Sequence, residues 1–574
     1  MKTLKRFSIK LLALLLCIIS SLSLFACTNK GDNTGGGEKP AGDGNDLGNL
    51  DLKGDSASND ANTLEIQIYN AGYGVKWLVD CATEFMAQNP DIKIVADNLD
   101  ESISVSNLLA AGPKNTTADL FIVGGDVNGI VAKGSQVLSG YDCVLEPIDD
   151  VYTATVEGST LLQKMDESVS SAYLREVTLG GNLEEHYFAV PWTSGFGGIF
   201  YSQTLFTQAG LTGEPRTTDE LQEYCVALKS NGTYPFIYSA TDDYFQYCSW
   251  TWWAQYEGQE GLDNFYNGKT SATARPSASQ SRNIFNQEGL REMFKVYEEL
   301  LDPSKDWVYP YVESLAYTEA QAYYLLEQGA YGAMMPNGTW LENEMINSSA
   351  NQSIGSILPM KTPVISALSD KMSYWAEDKN FTEASKTMSK ATRQAYDAKL
   401  RALVDYADGV ASRPAWATDE DVALIVKSRA YEQAGVGSAM CIPIYATAKD
   451  AAKKFLKFLT TNKAMELYLA GTNGSAFPWS FDIKNWSGYN SLSAFAKRKF
   501  EIMENIVTIK TESAFPTYYI GGLRYDTGLK NSNFVITFGA RNSERYNADQ
   551  VITNAFNYYT EQRMGQLLQN SGLL

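Results

Sequence analysis

Tyr-Phe-Ala-Val-Pro-Trp-Thr-Ser-Gly-Phe-Gly-Gly-Ile-Phe-Tyr-Ser-Gln-Thr-Leu-Phe, residues 187–206, holds two apolar runs joined by a pliable segment. The first run ends at Pro191, with Trp192 behind it, and the second begins at Ile199. Gly195, Gly197 and Gly198 lack a Cβ, so the backbone there reaches dihedrals that other residues avoid. Such a segment fits a strand crossing between two lobes, because hinges are built from a few positions of this kind. It fits equally a Gly-rich hairpin around a core Trp. The rest of the chain decides between the two.

At 574 residues the chain exceeds one ordinary domain, and length alone suggests about two to four. A hydrophobic content of 44% with 12% aromatics can fill sizeable cores. The net charge of −20 argues against a nucleic-acid partner, which needs clustered Lys and Arg. Lys2, Lys5, Arg6 and Lys10 precede an apolar run, Leu11 to Leu24, too short to span a bilayer comfortably, so 1–26 reads as an export signal. Nothing later is a long uninterrupted apolar run, and no mature membrane-spanning helix is expected. Leu24-Phe25-Ala26-Cys27 resembles the bacterial lipobox, which implies that Cys27 becomes a lipid-modified (palmitate-bearing) N-terminus. Residues 27–60, mostly Gly, Asp, Asn and Ser, then read as a flexible tether with a reach of about 30 Å. Cys81, Cys143, Cys225, Cys248 and Cys441 are scattered without a C-x-x-C pair, so neither a disulfide framework nor a zinc site is indicated, although one disulfide stays open.

Along the chain, Leu64, Ile66 and Ile68 alternate as in a strand, and Leu78, Ala82, Phe85 and Met86 follow at helical spacing until Asn89-Pro90. Ile92 to Val95 and the wholly apolar Leu120 to Val123 are further strands, with a short helix over 105–110 between them. Strand, helix, strand, helix, strand points to an open doubly wound sheet, which binds ligands beyond the carboxyl ends of its strands, where Tyr73 and Asp126 fall. Thr217-Thr218-Asp219-Glu220 is a capping box, and Tyr234 to Tyr238 reads as a strand of a second lobe. Rings crowd 244–256; Gln328 to Met335 reads as a strand leading to Asn337-Gly338-Thr339-Trp340, and Ile354 to Pro359 as a return crossing. The polar, helix-favouring stretch 361–438 reads as an inserted helical subdomain. Ser438 to Ile444 is a strand, Thr447 to Leu459 an amphipathic helix, and Asn547 opens a C-terminal one.

Taken in order, these pieces resemble the family 1 extracellular solute-binding proteins of ABC sugar importers, the group that includes maltose-binding protein. The carrying segments are the lipobox and tether, Asn89-Pro90-Asp91-Ile92-Lys93, Ala118-Asp119-Leu120-Phe121 ahead of Asp126, and Val190-Pro191 crossing to Phe200-Tyr201. Gly332-Ala333-Met334 running to Gly338 and Trp340 fits too, as does Ala451 to Leu459 ahead of Phe477-Pro478. The resemblance implies an α/β, two-lobed periplasmic-binding-protein (flytrap) fold, each lobe a doubly wound sheet flanked by helices. One lobe would hold 61–192 and about 439–490, the other 193–360 and about 491–574, with 361–438 inserted. It also implies an oligosaccharide ligand, delivery to ABC permease subunits, a lipid anchor at the outer face of the membrane, and a monomer. No cofactor and no metal are expected.

Rings cover the C–H faces of a sugar, while carboxylates and amides bond its hydroxyls. Trp192, Trp253, Trp340 and Tyr73 are the candidate platforms; Asp126 and Asn337 are the polar candidates. The alternative is a secreted glycosidase with two carboxylates about 5–9.5 Å apart, for which Asp149-Asp150, Glu184-Glu185 and Asp242-Asp243 read more simply as solvated faces. The single histidine, His186, excludes multi-His metal sites, and no G-x-S-x-G motif supports a serine hydrolase.

Overall fold

A computed structural model describes residues 46–51, 60–69, 72–99, 105–112, 116–124, 127–133, 138–348, 354–375, 390–434, 438–541 and 543–574. The export signal, Cys27 and Asp126 lie outside the described residues, as does most of the tether. One part of the tether departs from the flexible expectation. Leu47 and Leu50, two of its three leucines, are buried in the core of the first lobe, and Asp51 bridges to Ala96. Burying two leucines offsets the entropy of ordering this short turn.

The first lobe is built on β1 (Thr63–Ile68), β2 (Lys93–Asn98) and β3 (Leu120–Val123), with β1 parallel to both others. Helix α1 (Lys76–Gln88) packs on this sheet through Trp77, Leu78, Cys81 and Phe85, and ends where Asn89 caps its last turn. A hairpin, β4 (Leu174–Leu179) and β5 (Asn182–Tyr187), closes this part of the lobe.

The second lobe begins at β6 (Gly197–Ser202). Thr217 caps the next helix through Glu220 N, but the Glu220 carboxylate turns to Arg216 instead of completing a capping box. Helix α2 (Tyr247–Tyr266) follows, then β7 (Met334–Gly338), α3 (Leu341–Ser348) and β8 (Ile357–Pro359). β6 lies between β7 and β8, antiparallel to both, and Phe236 of the expected 234–238 strand makes isolated parallel bridges to Val308 and Met334. β8 corrects one expectation. Ile354 to Pro359 is not a return crossing, because pairing with β6 holds it in the second lobe.

In the stretch 361–438, helices α4 (Lys390–Ala407) and α5 (Asp419–Ala430) share the apolar cluster of the second lobe. Leu400, Leu403, Val404 and Ile425 pack in the same core as Trp252 and Tyr297. A buried carboxylate stitches α4 in place: Asp397 accepts hydrogen bonds from Thr217 (2.7 Å), Ser366 (3.0 Å) and Arg401 (2.5 Å).

After β9 (Tyr431–Glu432) the chain returns to the first lobe as β10 (Ala439–Cys441), antiparallel to β3 at the edge of the sheet, giving the order β10-β3-β1-β2. Helices α6 (Lys449–Leu459) and α7 (Asn462–Gly471) complete that lobe, the first through Ala451, Ala452, Phe455 and Leu459. The chain passes between the lobes around residues 190–197 and 434–438, and again between Trp486, which still packs on the first lobe, and Phe495, which packs on the second. The first crossing bonds the second and also the loop after α7. Val190 and Met440 exchange both backbone hydrogen bonds, Ser194 N donates to Ala476 O (2.8 Å), and Gly197 N donates to Gln433 O (3.2 Å). Helix α8 (Ala494–Met503) braces them from behind, with Phe495 packed on the second lobe and Phe500 against the first. Its buried Lys499 donates to Gly474 O (2.6 Å), and burial lowers the pKa of its ammonium to about 8.

The opening stretch is thus a crossing and not a hairpin. The cysteines Cys81, Cys143, Cys225, Cys248 and Cys441 are all free and buried.

Candidate functional site

The lobes meet over a wall of rings in the second lobe. Tyr247 and Trp250 lie on α2 at i and i+3, so they share a face of the helix. Tyr244 stacks on Tyr247 with centroids 5.7 Å apart, and Trp340, just ahead of α3, meets both edge-on at 5.9 and 5.8 Å. Tyr244, Tyr247 and Trp340 are half-buried, and Trp340 also packs against the apolar cluster of the first lobe. Glycines permit this crowding. A Cβ at Gly338 would overlap the Trp340 ring, and one at Gly197 would lie 2.7 Å from Tyr247 Cβ.

The polar lining comes from three segments. Glu344 of α3 accepts from the Tyr317 hydroxyl (2.7 Å) and Gln321 Nε2 (2.7 Å). It faces the first lobe so closely that a Cβ at Gly72 would stand 2.8 Å from its Cγ. Behind Trp250, Glu512 accepts from the Trp250 indole (3.1 Å) and the Tyr266 hydroxyl (3.0 Å). On the first lobe, Tyr73 meets Trp192 edge-on at 5.6 Å, and burial raises its pKa to about 12, opposed by the hydroxyls of Thr193 and Thr339.

Of the residues named from sequence, the structure brings Trp340, Tyr73 and Asn337 to the interlobe region, each with its own part. Trp340 is half-buried, between the ring wall and the first lobe. Tyr73 is buried and presents its hydroxyl instead of its face. Asn337 is fully buried in β7, where its Oδ1 accepts from the Tyr317 hydroxyl (3.1 Å), so it positions Tyr317. Two expected platforms are corrected. Trp192 is wholly buried, stacked on Trp77 at 5.7 Å, with its indole N–H donating to Val123 O (2.7 Å). Trp253 is wholly buried in the second-lobe core and donates to Gln287 Oε1 (2.9 Å). Neither ring has a face open to a guest. Tyr244, Tyr247, Tyr317, Thr339 and Glu344 were not singled out as ligand residues. The helical spacing of Tyr247 and Trp250 was the available signal, whereas nothing local announces that α3 returns Glu344 to the cleft.

Among the carboxylates that burial makes harder to ionise are Glu432, which is buried, and Glu512, which is half-buried. Burial raises Glu432, at the root of the second crossing, to about 7, against the hydrogen bonds of Thr362 and the charges of Arg429 and Lys361. Burial and Asp526 raise Glu512 to about 7, against Arg524, Tyr266 and Trp250. A carboxyl with a raised folded pKa stabilises the fold at pH below its unfolded value of 4.5, and that stability is lost as pH rises through about 7. Asp408 runs the other way. Burial raises its pKa, but Arg429 and Lys361 outweigh burial and hold it low, so its stabilisation is lost in acid. Melting temperature is therefore expected to peak near pH 4.5–5 and to fall toward pH 7.5. Glu432→Gln should flatten that fall, which on linkage is on the order of 3 kcal/mol for each group. An unchanged slope in the variant would remove Glu432 from the account.

Comparison with known proteins follows this geometry. Residues 71–341 match the family described as bacterial extracellular solute-binding protein. The chain is 23% identical over 305 residues to a Brucella abortus (strain 2308) protein described as a binding protein, covering 51% of this chain and 63% of that one. It is 22% identical over 288 residues to the diacetylchitobiose binding protein NgcE of Streptomyces coelicolor, covering 49% and 54%. The match thus spans less than two thirds of the length of either relative. A solved chitin oligosaccharide binding protein superposes with a TM-score of 0.53 at 15% identity, over 89% of this chain and 100% of that one, a likeness of fold. From the loop after β1 to the first residue of α3 the chain is thus similar to the bacterial extracellular solute-binding proteins, and its two-lobed fold is like that of the superposed structure.

Proposed function

We propose that this protein is the lipid-anchored, extracellular substrate-binding component of an ABC importer, closing its lobes on a neutral oligosaccharide and handing it unaltered to a membrane permease. The observation that carries the reading is the interlobe wall of Tyr244, Tyr247 and Trp340 faced by hydroxyls and carboxylates. Rings suit the C–H faces of a sugar, and the polar groups suit its hydroxyl rim. Glu344 makes the lining unfavourable to an anionic guest. The relatives named for diacetylchitobiose and chitin oligosaccharide support the class of guest, and Cys27 in its Leu-Phe-Ala-Cys setting supports the anchor. A monomer suffices, since both walls come from one chain.

Titration calorimetry against maltose, diacetylchitobiose, xylobiose and galactose, with chromatography of the recovered sugar, tests the proposal. Saturable binding with the sugar recovered intact is expected. Cleaved sugar would favour a glycosidase, and silence across the panel would contradict the reading. Labelled palmitate should enter the expressed protein and be lost in Cys27→Ala.

A further inference from the structure

Lys499 is a buried ammonium at the seam between the lobes. It lies on α8, whose Phe495 stacks on Phe200 of β6 at 5.5 Å and so ties the helix to the second lobe. Lys499 itself is 2% exposed. An ammonium has three donors, and among the described residues this one meets a single acceptor, Gly474 O (2.6 Å), in the first-lobe loop after α7. It forms no ion pair among those residues. Glu342 of α3 is the charged group that acts on it, but that carboxylate is bonded by the hydroxyl of Ser493, the N-cap of α8. The first-lobe loop, Thr472 to Ala476, brings no charge. On α8, Arg498 pairs with Glu214 (2.8 Å) and Glu501 (3.2 Å). The seam is tight as well: Gly474 has a φ of +104°, and a Cβ there would stand 2.9 Å from Ala496 Cβ. A buried charge with so little compensation disfavours the state that buries it.

We propose that Lys499 is an opening spring: buried between the lobes when they shut and hydrated when they part, its ammonium biases the guest-free protein toward the open form, so that closure needs a guest. This rests on the hinged closure in the reading above and not on what the guest is. Burial lowers the pKa of the ammonium from the ordinary 10.5 to about 8, against the charge of Glu342. Once hydrated in the open form, the group returns toward its ordinary value. The shut form then holds fewer protons than the open one between those two values, so rising pH in that window favours shutting. Glu342 acts on the acid side. Burial raises its pKa against Ser493 and Lys499, and protonating it removes the counter-charge and favours opening further.

Lys499→Met keeps the length of the side chain and removes its charge. Without sugar at pH 7, small-angle scattering of the variant should be more contracted than that of the wild type. The tightest-binding sugar of the calorimetric panel should bind the variant about tenfold more tightly, because less of its binding energy goes into shutting the lobes. Between pH 7 and 9.5 the sugar-free wild type should contract and gain about tenfold in affinity, while the variant stays level. A variant as extended as the wild type, or one that binds sugar more weakly, would make Lys499 a latch or a bystander and overturn the spring. Equal contraction of both proteins with pH would overturn it too. If the variant does not fold, the wild-type series decides, and a profile unchanged from pH 7 to 9.5 overturns the proposal. Silence across the sugar panel beside a contracted variant would remove the glycan reading and leave the spring standing.

Discussion

Gly197→Val is expected to lower the unfolding free energy by about 3 kcal/mol, the upper end of what overpacking a tight core costs. The side chain would meet Tyr247 at its root, 2.7 Å from Cβ, and overlap the ring atoms beyond it. A ring can swing about χ1 to clear its tip, but it cannot clear its own Cβ without moving α2. Gly197 also donates its amide to Gln433 O in the second crossing, so a displaced β6 loosens the hinge as well as the ring wall. Gly198 is the control. The nearest atom to a Cβ there is Thr362 Oγ1 at 3.5 Å, an ordinary contact, and Gly198→Ala should cost less than about 1 kcal/mol. Urea denaturation of the pair settles the point: equal losses would mean that β6 and Tyr247 are not packed as described.

Trp340→Ala should weaken binding of the best panel sugar by about 1–3 kcal/mol, roughly 5- to 150-fold, as removal of a central aromatic anchor does. Part of that loss is indirect, because Tyr244 and Tyr247 lean edge-on against the indole and lose a neighbour that fixes their rotamers. Trp253→Ala should behave in the opposite way. Its indole is wholly buried among Phe265, Tyr266 and Tyr525, so stability should drop by about 3–5 kcal/mol while the affinity of the folded fraction holds. The same loss of affinity in both variants would place Trp340 outside the site.

The contrast between these tryptophans shows where sequence reasoning reached and where it stopped. Strands such as Leu64 to Ile68 and Leu120 to Val123 declare themselves because alternation and apolar runs are local properties. The crossing at Gly195–Gly198 is legible for a similar reason, since clustered glycines beside β-like runs have few other uses. The choice among rings is not local. Trp192, Trp253 and Trp340 each stand in a plausible setting, but burial depends on what packs from elsewhere: Trp77 and Val123 O cover the first, and Gln287 and Phe265 cover the second. Glu344 was missed because its meeting with Gly72 spans 272 positions of sequence and depends on two lobes shutting. The stretch 361–438 looked separate because its exposed faces are polar. Its inward residues, Leu400 and Ile425 among them, are too few to advertise a shared core. Leu47 and Leu50 were lost in a tether whose composition is otherwise that of a disordered chain.

The central claim is that two hinged lobes close on a neutral, hydroxyl-rich guest. Small-angle X-ray scattering with and without the best-binding sugar tests it most directly. The profile without sugar should be more extended than the shut form described here, and saturating sugar should contract it to match that form. Superimposable profiles at a sugar concentration where calorimetry shows full occupancy would contradict the claim.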